Sequence, residues 1–582
     1  MKFILRTIFL CAIIFSGQHI FAQQNDALPK GLTEVEKGLI TDYQFTSTVQ
    51  RTPAPSSPVR AAAEWEEVEY LVVTWENNYP NILRQIVAVG VQEAKVIIVT
   101  QNENSVNNYL ENNGIDTANI TYLNREWDSI WIRDYAGNTV YTDDVGERAL
   151  VDWIYNRPRP NDNSIPSAHA ELLDMPIYIT DNSPNDLVNT GGNYMSDGLG
   201  NAFASDLILE ENSAGNPYNV SVKSESQIDQ IMEDYMGITN YIKMETLPYD
   251  AIHHIDMHMK LLDEETLLVS RYPEGVADGP QIEENIDYVL SNFNSPFGTP
   301  YKVKWIDAPP STSGAYPDTN GYYRTYSNSI IINKSILVPT YRPEVDVAAL
   351  AYYEELMPGY NVVGIDVDDP EETLIAAFGA IHCITHTIGV DEPLLIVHQP
   401  VANAAPSATV AIDASIKHIS DVAQAKVYWR EQGDTVYQEV DMSATGDNMW
   451  TADINMPSSN IDVEYYIWAT ANSGKSLARP LVAPAGYWRI NVDVLATQEY
   501  AAANIAGPYP NPTTDEVRFN FTTQFSEMNV MITNILGQEL FHNDFTNVEG
   551  ELSLDLKAQW QGTLFVTFSG DFGNVTKKIL KL

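Results

Sequence analysis

Residues 69–100 read E-Y-L-V-V-T-W-E-N-N-Y-P-N-I-L-R-Q-I-V-A-V-G-V-Q-E-A-K-V-I-I-V-T. The opening E-Y-L-V-V-T-W (69–75) and the closing K-V-I-I-V-T (95–100) are rich in β-branched and aromatic residues, as strands are. Between them, Asn81 to Val91 has the apolar spacing of an amphipathic helix. The stretch therefore reads strand, helix, strand. The same mixture continues along the chain, with T-L-L-V-S (266–270) and S-I-I-I-N (329–333) as strands and Asp346 to Leu356 as a helix. This pattern places one α/β domain at residues 61–400.

Both flanks have a different texture. Lys2 and Arg6, the apolar run Ile8 to Phe15 and the small-residue junction Phe21-Ala22 read as a secretory signal peptide over residues 1–22. Residues 23–60 are polar, end in a Pro/Ser stretch and read as a pro-segment or linker. On the other side, V-A-N-A-A-P-S-A (401–408) reads as a linker into short alternating strands such as K-V-Y-W and V-E-Y-Y-I-W. These suggest a β-sandwich of immunoglobulin-like size over 401–495. A last all-β block spans 504–582, with Y-P-N-P-T near its start and T-K-K-I-L-K-L at its end.

The 582 residues carry 33 basic and 78 acidic side chains, a formal charge of -45. That field disfavours nucleic acid and anionic lipid as partners and favours a cationic substrate. After Ala22 no apolar run approaches the length of a membrane span. Of two cysteines, Cys11 lies in the leader, so Cys383 is left without an intramolecular partner. A lone thiol in an exported chain is either buried filler or a nucleophile, and His382 and His386 beside it favour the nucleophile.

Four clusters in the α/β domain hold polar residues without an evident structural need. They are W-I-R-D-Y (131–135), H-H-I-D-M-H (253–258), Y-S-N-S (326–329) and the loop around Cys383. If 253–258 is a strand, His254, Asp256 and His258 share a face. T-G-G-N-Y-M-S-D-G (190–198) adds glycines that permit close backbone approach to a ligand. A histidine beside a thiol can tune and shuttle its proton, and two carboxylates can clamp a planar guanidinium between them. A thiolate could then attack the guanidinium carbon with no metal and no organic cofactor. A zinc or iron site built on H-x-D-x-H is the competing reading. For Asp134 the structural alternative is an ion pair with Arg133, and for Arg157 and Arg159 one with Asp152 or Asp162.

W-I-R-D-Y, N-R-P-R-P-N-D (156–162), T-G-G-N-Y-M-S-D-G, H-I-D-M, Y-S-N-S and H-C-I-T-H occur in that order. Together they resemble the bacterial peptidylarginine deiminase and agmatine deiminase family over roughly residues 60–400. The resemblance implies a pseudo-symmetric five-bladed α/β propeller, the pentein fold of guanidino-modifying enzymes. It implies Cys383 as nucleophile, His254 as general acid/base, Asp134 and Asp256 as guanidinium clamps and Asn328 as an ordering residue. Trp131, Gly192 and Asn193 become candidate substrate contacts. Arg157 and Arg159 become candidate receptors for a peptide's C-terminal carboxylate. Ala251 stands where the resemblance leads one to expect a tyrosine against the peptide terminus, with Tyr249 nearby.

Two substrates follow from the resemblance: C-terminal arginine of a peptide, giving citrulline, and agmatine, giving N-carbamoylputrescine. The segments H-I-D-M-H-M-K-L-L and G-V-A-D-G-P-Q-I (275–282) lean to the agmatine branch, whereas export leans to peptides. The pairing of Cys383 with His254 predicts a bell-shaped pH profile. A non-catalytic surface-binding protein is the remaining alternative. The last block, with its P-N-P opening, the N-I-L-G-Q-E turn (534–539) and lysine-rich end, resembles a type IX secretion sorting domain. That implies the type IX secretion machinery as a partner and a secreted or cell-surface location.

Overall fold

The computed structural model describes residues 27–46, 53–317, 322–492, 504–570 and 573–582. The expected signal peptide lies outside the described residues. Between Val59 and Gly389 the strands form five separate sheets of three or four strands each. The five share one plan. In the plainest case Ile330–Ile332 pairs antiparallel with Ser335–Thr340, the helix Pro343–Leu356 follows, and Asn361–Asp366 returns parallel. A parallel return needs a crossover, and the helix supplies it.

The plan repeats with Met259–Leu261, Thr266–Arg271, the helix Gly279–Asn292 and Lys302–Asp307. It repeats with Met195–Ser196, Asn201–Ser205, the helix Glu225–Met236 and Asn240–Met244. Asn138–Thr142, Arg148–Trp153, the helix Ile165–Leu173 and Ile177–Thr180 make a fourth unit. The fifth joins the two ends of the region, because His386–Gly389 pairs antiparallel with Val68–Thr74. The helix Pro80–Glu93 then leads to Lys95–Val99, matching the strand–helix–strand reading of residues 69–100. Leu71, Val72 and Val73 are all fully buried, so this strand is covered on both faces, which explains its unbroken apolar run.

A short turn precedes the first strand of each unit. The five turns are Ile132–Tyr135, Gly191–Asn193, Ile255–Met257, the bend 326–328 and His382–Ile384. The plan therefore brings five sequence-distant turns to corresponding positions, and these turns carry the residues discussed below.

Two expected boundaries move. Val59–Ala61 already pairs with Asn138–Thr142, and residues 27–46 pack onto the domain, so 23–60 is not simply a linker. Leu395–Val397 pairs with Thr409–Lys417, so the following region begins before residue 400, and the expected linker 401–408 itself holds the strand Asn403–Ala404. That region has two sheets sharing one apolar core built on Ile412, Val427, Ile454, Tyr465 and Ile467. It contacts the α/β domain through Arg479, whose guanidinium donates to both carboxylate oxygens of Glu264 at 3.0 and 3.2 Å. Residues 504–582 form a separate five-stranded sheet with its own core around Phe519 and Phe568. Among the described residues, no helix is long and apolar enough to cross a membrane.

Candidate active site

Cys383 is fully buried on the turn His382–Ile384. Asn328 fixes that turn, because its Oδ1 accepts from the His382 amide at 3.0 Å. The Asn328 amide nitrogen donates to Cys383 Sγ at 3.3 Å and to the Asp256 carbonyl at 3.0 Å. One side chain thus ties together the turns that carry Cys383 and Asp256. Asp256 Oδ2 stands 3.5 Å from Sγ and accepts from His382 Nδ1 at 2.9 Å.

His254 is the residue preceding the turn Ile255–Met257, and its ring is fully buried. Nε2 lies 3.0 Å from the Thr190 hydroxyl and Nδ1 lies 3.4 Å from Asp134 Oδ1. Gly192 is what lets these groups meet. A Cβ there would fall 2.5 Å from His254 Nδ1, 2.8 Å from Asp134 Oδ1 and 3.3 Å from Asp256 Oδ2. The close backbone approach expected of the glycines is therefore to the site's own side chains.

The electrostatics follow from burial and charge. Burial, then the Asp256 carboxylate, push the Cys383 thiol up to about 12. Burial also lowers His254, with Asp134 opposing it. The resting pair is therefore a thiol and a neutral imidazole near neutrality. Burial alone would raise Asp134 and Asp256, but nearby cations hold both below the usual carboxylate range, Lys30 first among them. Asp134 Oδ1 and Asp256 Oδ1 are buried and accept no hydrogen bond among the described residues.

The reading of 253–258 as a strand is corrected. The chain makes a 3₁₀ turn there, His253 adopts a left-handed φ of 62°, and His258 points away to Asp250 at 3.1 Å. His254, Asp256 and His258 therefore do not share a face, and among the described residues no trio of metal-ligating groups forms. His386 also turns away, 3.0 Å from the Gly137 carbonyl. Asp134 has no ion pair with Arg133, whose Nε donates to the His382 carbonyl and whose Nη2 stands 3.9 Å from Glu64. Asn193 is buried. Its amide bonds the backbone of Ser205, and the Ser205 hydroxyl donates to the His253 carbonyl at 2.6 Å, bracing the peptide next to His254.

Sequence reasoning missed three contributors. His382 Nε2 pairs with Glu64 at 2.8 Å, and Glu64 pairs in turn with Lys260, so a buried relay stands behind Asp256. These residues are hundreds of positions apart, and no local pattern announces them. The third is Lys30. Its Nζ, fully buried, donates to Cys383 Sγ at 2.9 Å and stands 3.6 Å from Asp256 Oδ1.

Asp162 accepts from the Ser129 hydroxyl and from the amides of Asp128 and Ser129, while Arg157 and Arg159 reach towards residues 29–36. Arg157 Nε donates to the Lys30 carbonyl at 3.1 Å. Arg159 donates to Glu36 at 2.7 Å and to the carbonyls of Pro29 and Gly31 at 2.9 and 3.1 Å. Trp131 Nε1 donates to the Leu28 carbonyl at 2.8 Å. Tyr249 is 53% exposed and Ala251 is exposed, so neither closes the site.

Comparison with known proteins gives this arrangement a context. A putative agmatine deiminase of Yersinia pestis is 26% identical over 295 residues, covering 47% of this chain and 77% of the relative. The same values hold for a relative of that name in Yersinia pseudotuberculosis serotype I. The crystal structure of a putative arginine deiminase from Porphyromonas gingivalis aligns at 20% identity and a TM-score of 0.49, over 57% of this chain and 98% of that one. Agmatine deiminase of C. jejuni aligns at 19% identity and a TM-score of 0.47, over 59% and 99%. Residues 508–581 match the secretion system C-terminal sorting domain, which marks the chain for export and attachment at the cell surface. Residues 60–388, more than half of the chain and all five of the site's turns, match the Porphyromonas-type peptidyl-arginine deiminases, and the chain belongs to that family of C–N hydrolases.

Proposed function

We propose that the protein converts arginine within a peptide to citrulline, with Cys383 as a covalent nucleophile. One observation carries the guanidinium reading. Asp134 and Asp256 are buried beside His254, and each keeps an oxygen that accepts no hydrogen bond among the described residues, Asp134 Oδ1 standing 3.4 Å from His254 Nδ1 and Asp256 Oδ1 3.6 Å from Lys30 Nζ. Buried acceptors of that kind call for a donor, and a guanidinium brings five N–H groups in a planar fork where an ammonium brings three. We read the five strand–strand–helix–strand units as the blades of a pentein propeller, and the two-sheet region as an immunoglobulin-like module.

In this mechanism the guanidinium enters between Asp134 and Asp256, and the thiol proton passes to His254. Sγ forms a bond to the guanidinium carbon while a C=N electron pair moves onto nitrogen. One terminal C–N bond then breaks, the nitrogen takes the proton from His254, and ammonia leaves a thiouronium. The carboxylates hold this cation in place. Water gives a proton to His254 and adds to the same carbon. The C–S bond breaks with its electrons returning to sulfur, leaving a ureido group.

The test offers a peptide ending in arginine, an arginine blocked at both ends and agmatine to the wild type, to Lys30→Ala and to Cys383→Ala. Ureido product and ammonia are measured together. Turnover of a peptide arginine, abolished in Cys383→Ala, is the expected result. Turnover of agmatine alone would replace the substrate, a reading that the names of the Yersinia relatives favour. No turnover of any guanidine would overturn the assignment.

A further inference from the structure

Resting on that reading, we propose that residues 28–31 are a pseudosubstrate: they lie in the site as a peptide substrate would, with Lys30 where the reactive arginine belongs, so the groove takes arginine from inside a chain. The side chains make the comparison close. Lysine Nζ and arginine Cζ are each the fifth atom out from Cα. Lys30 Nζ, 2.9 Å from Cys383 Sγ, therefore marks where the guanidinium carbon of an arginine would sit. That separation is slightly shorter than the about 3–3.5 Å of a near-attack arrangement, so the carbon would sit against the sulfur. An ammonium nitrogen has no electrophilic carbon to offer, so the thiol faces a group it cannot attack.

The main chain is held on both sides of Lys30. Its own amide donates to the Ala377 carbonyl at 3.1 Å and its carbonyl accepts from Arg157. On the N-terminal side, Trp131 holds the Leu28 carbonyl and Arg159 the Pro29 carbonyl; on the C-terminal side, Arg159 also holds the Gly31 carbonyl. A groove made only for a terminal arginine has no reason to grip the carbonyl of the next residue. The two arginines that suggested a carboxylate receptor grip the backbone carbonyls of residues 29–31, which suit an internal residue equally well, and Arg159 also takes the Glu36 carboxylate.

Beyond Gly31 the segment is anchored rather than merely threaded. Thr33 caps the helix Glu34–Leu39 in a capping box with Glu36, and the same Glu36 carboxylate pairs with Arg159. Ile40 and Phe45 then pack with Ile154, Val188, Tyr218 and Val220. An ammonium buried at the base of the site stays only because the Asp256 and Asp134 carboxylates lie close to it and the Cys383 sulfur accepts its hydrogen bond. While it stays, no substrate side chain reaches the thiol.

The deciding experiment is Lys30→Arg in the full chain, with residue 30 followed by peptide mapping and mass spectrometry. The expected result is conversion of position 30 to citrulline, with water consumed and ammonia released, and none when Cys383→Ser is added. The same protein is offered an arginine blocked at both ends. Turnover of that probe while position 30 stays intact would overturn the pseudosubstrate and leave the deiminase standing. Turnover of neither probe nor position 30, nor of agmatine, would remove both. If Lys30→Arg does not fold, a synthetic peptide of residues 27–46 with arginine at position 30 is given to Lys30→Ala. Its conversion supports the proposal, and its survival while the blocked arginine is consumed overturns it.

Discussion

Replacing Glu36 by alanine should unlock Cys383 without touching any group near the sulfur. Glu36 Oε1 lies 2.7 Å from Arg159 Nε, and Oε2 lies 3.3 Å from Nη2 while also accepting from the Thr33 amide at 2.7 Å. The pair is almost fully enclosed, with side-chain exposures of 1% and 9%. Removing one partner of a buried pair costs about 3–5 kcal/mol, because the other is left desolvated. The lower end applies, since Arg159 keeps the Pro29 and Gly31 carbonyls and the Tyr155 hydroxyl. In the displaced state Arg159 regains water, so the loss falls on the docked state alone. About 3 kcal/mol at 1.4 kcal/mol per decade raises the undocked fraction about 10²-fold. The assay is the rate at which a neutral alkylating reagent labels Cys383, the single cysteine beyond residue 11. Wild type and Glu36→Ala are compared at one pH, where both react through the undocked form. A rise of about two decades is expected. An unchanged rate would mean that Cys383 is reached without undocking, and the reasoning would fail.

Two further outcomes follow from the geometry. Gly192→Ala places a methyl group 2.5 Å from His254 Nδ1, about 0.9 Å inside ordinary contact at 3.4 Å. A displacement near 1 Å costs about 10²-fold in turnover. In a Lys30→Ala background kcat should fall by that order with the fold retained, and a kcat within a few-fold of the parent would refute the contact. The second concerns pH. Burial lowers His169 to about 4 and also lowers His254 and His386 below 6.5. A histidine kept neutral by folding contributes stability above its unfolded value and loses it as pH falls, so the decline runs from about 6.5 towards 4. His169 alone removes about 3 kcal/mol over that window. Thermal melting should fall steadily across it, and a level melting temperature from pH 7 to 4.5 would contradict the burial of neutral imidazoles.

The sequence displayed the chemistry better than its wiring. Cys383, Asp134, Asp256, His254 and Asn328 sit in short motifs because each lies in or immediately before a turn at the head of a repeated unit, where local sequence dictates local shape. The strand–helix–strand reading of 69–100 was legible for a similar reason, since apolar periodicity reflects burial directly. The strand read into 253–258 failed because alternating polar residues also occur in a tight turn, and only His253's left-handed backbone distinguishes the two. Glu64 and Lys260 were invisible, since Glu64 meets His382 and Lys260 meets Glu64 only through a fold that brings residues 318 and 196 positions apart together. Lys30 was hidden by its surroundings. A polar stretch rich in turn formers reads as a linker, and nothing within it shows that Lys30 is buried with two carboxylates waiting elsewhere.

The segment bearing Lys30 is also covalently part of the protein it occupies. A tethered ligand acts at an effective concentration on the order of millimolar, set by its connection and not by how much protein is present. The four residues at the thiol therefore need only modest intrinsic affinity to outcompete dilute peptides, and dilution of the protein does not release them. Severing the connection anywhere between Thr46 and Val59 would turn that standing advantage into an ordinary bimolecular equilibrium. From then on, the arginine content of the surroundings would decide what the site holds.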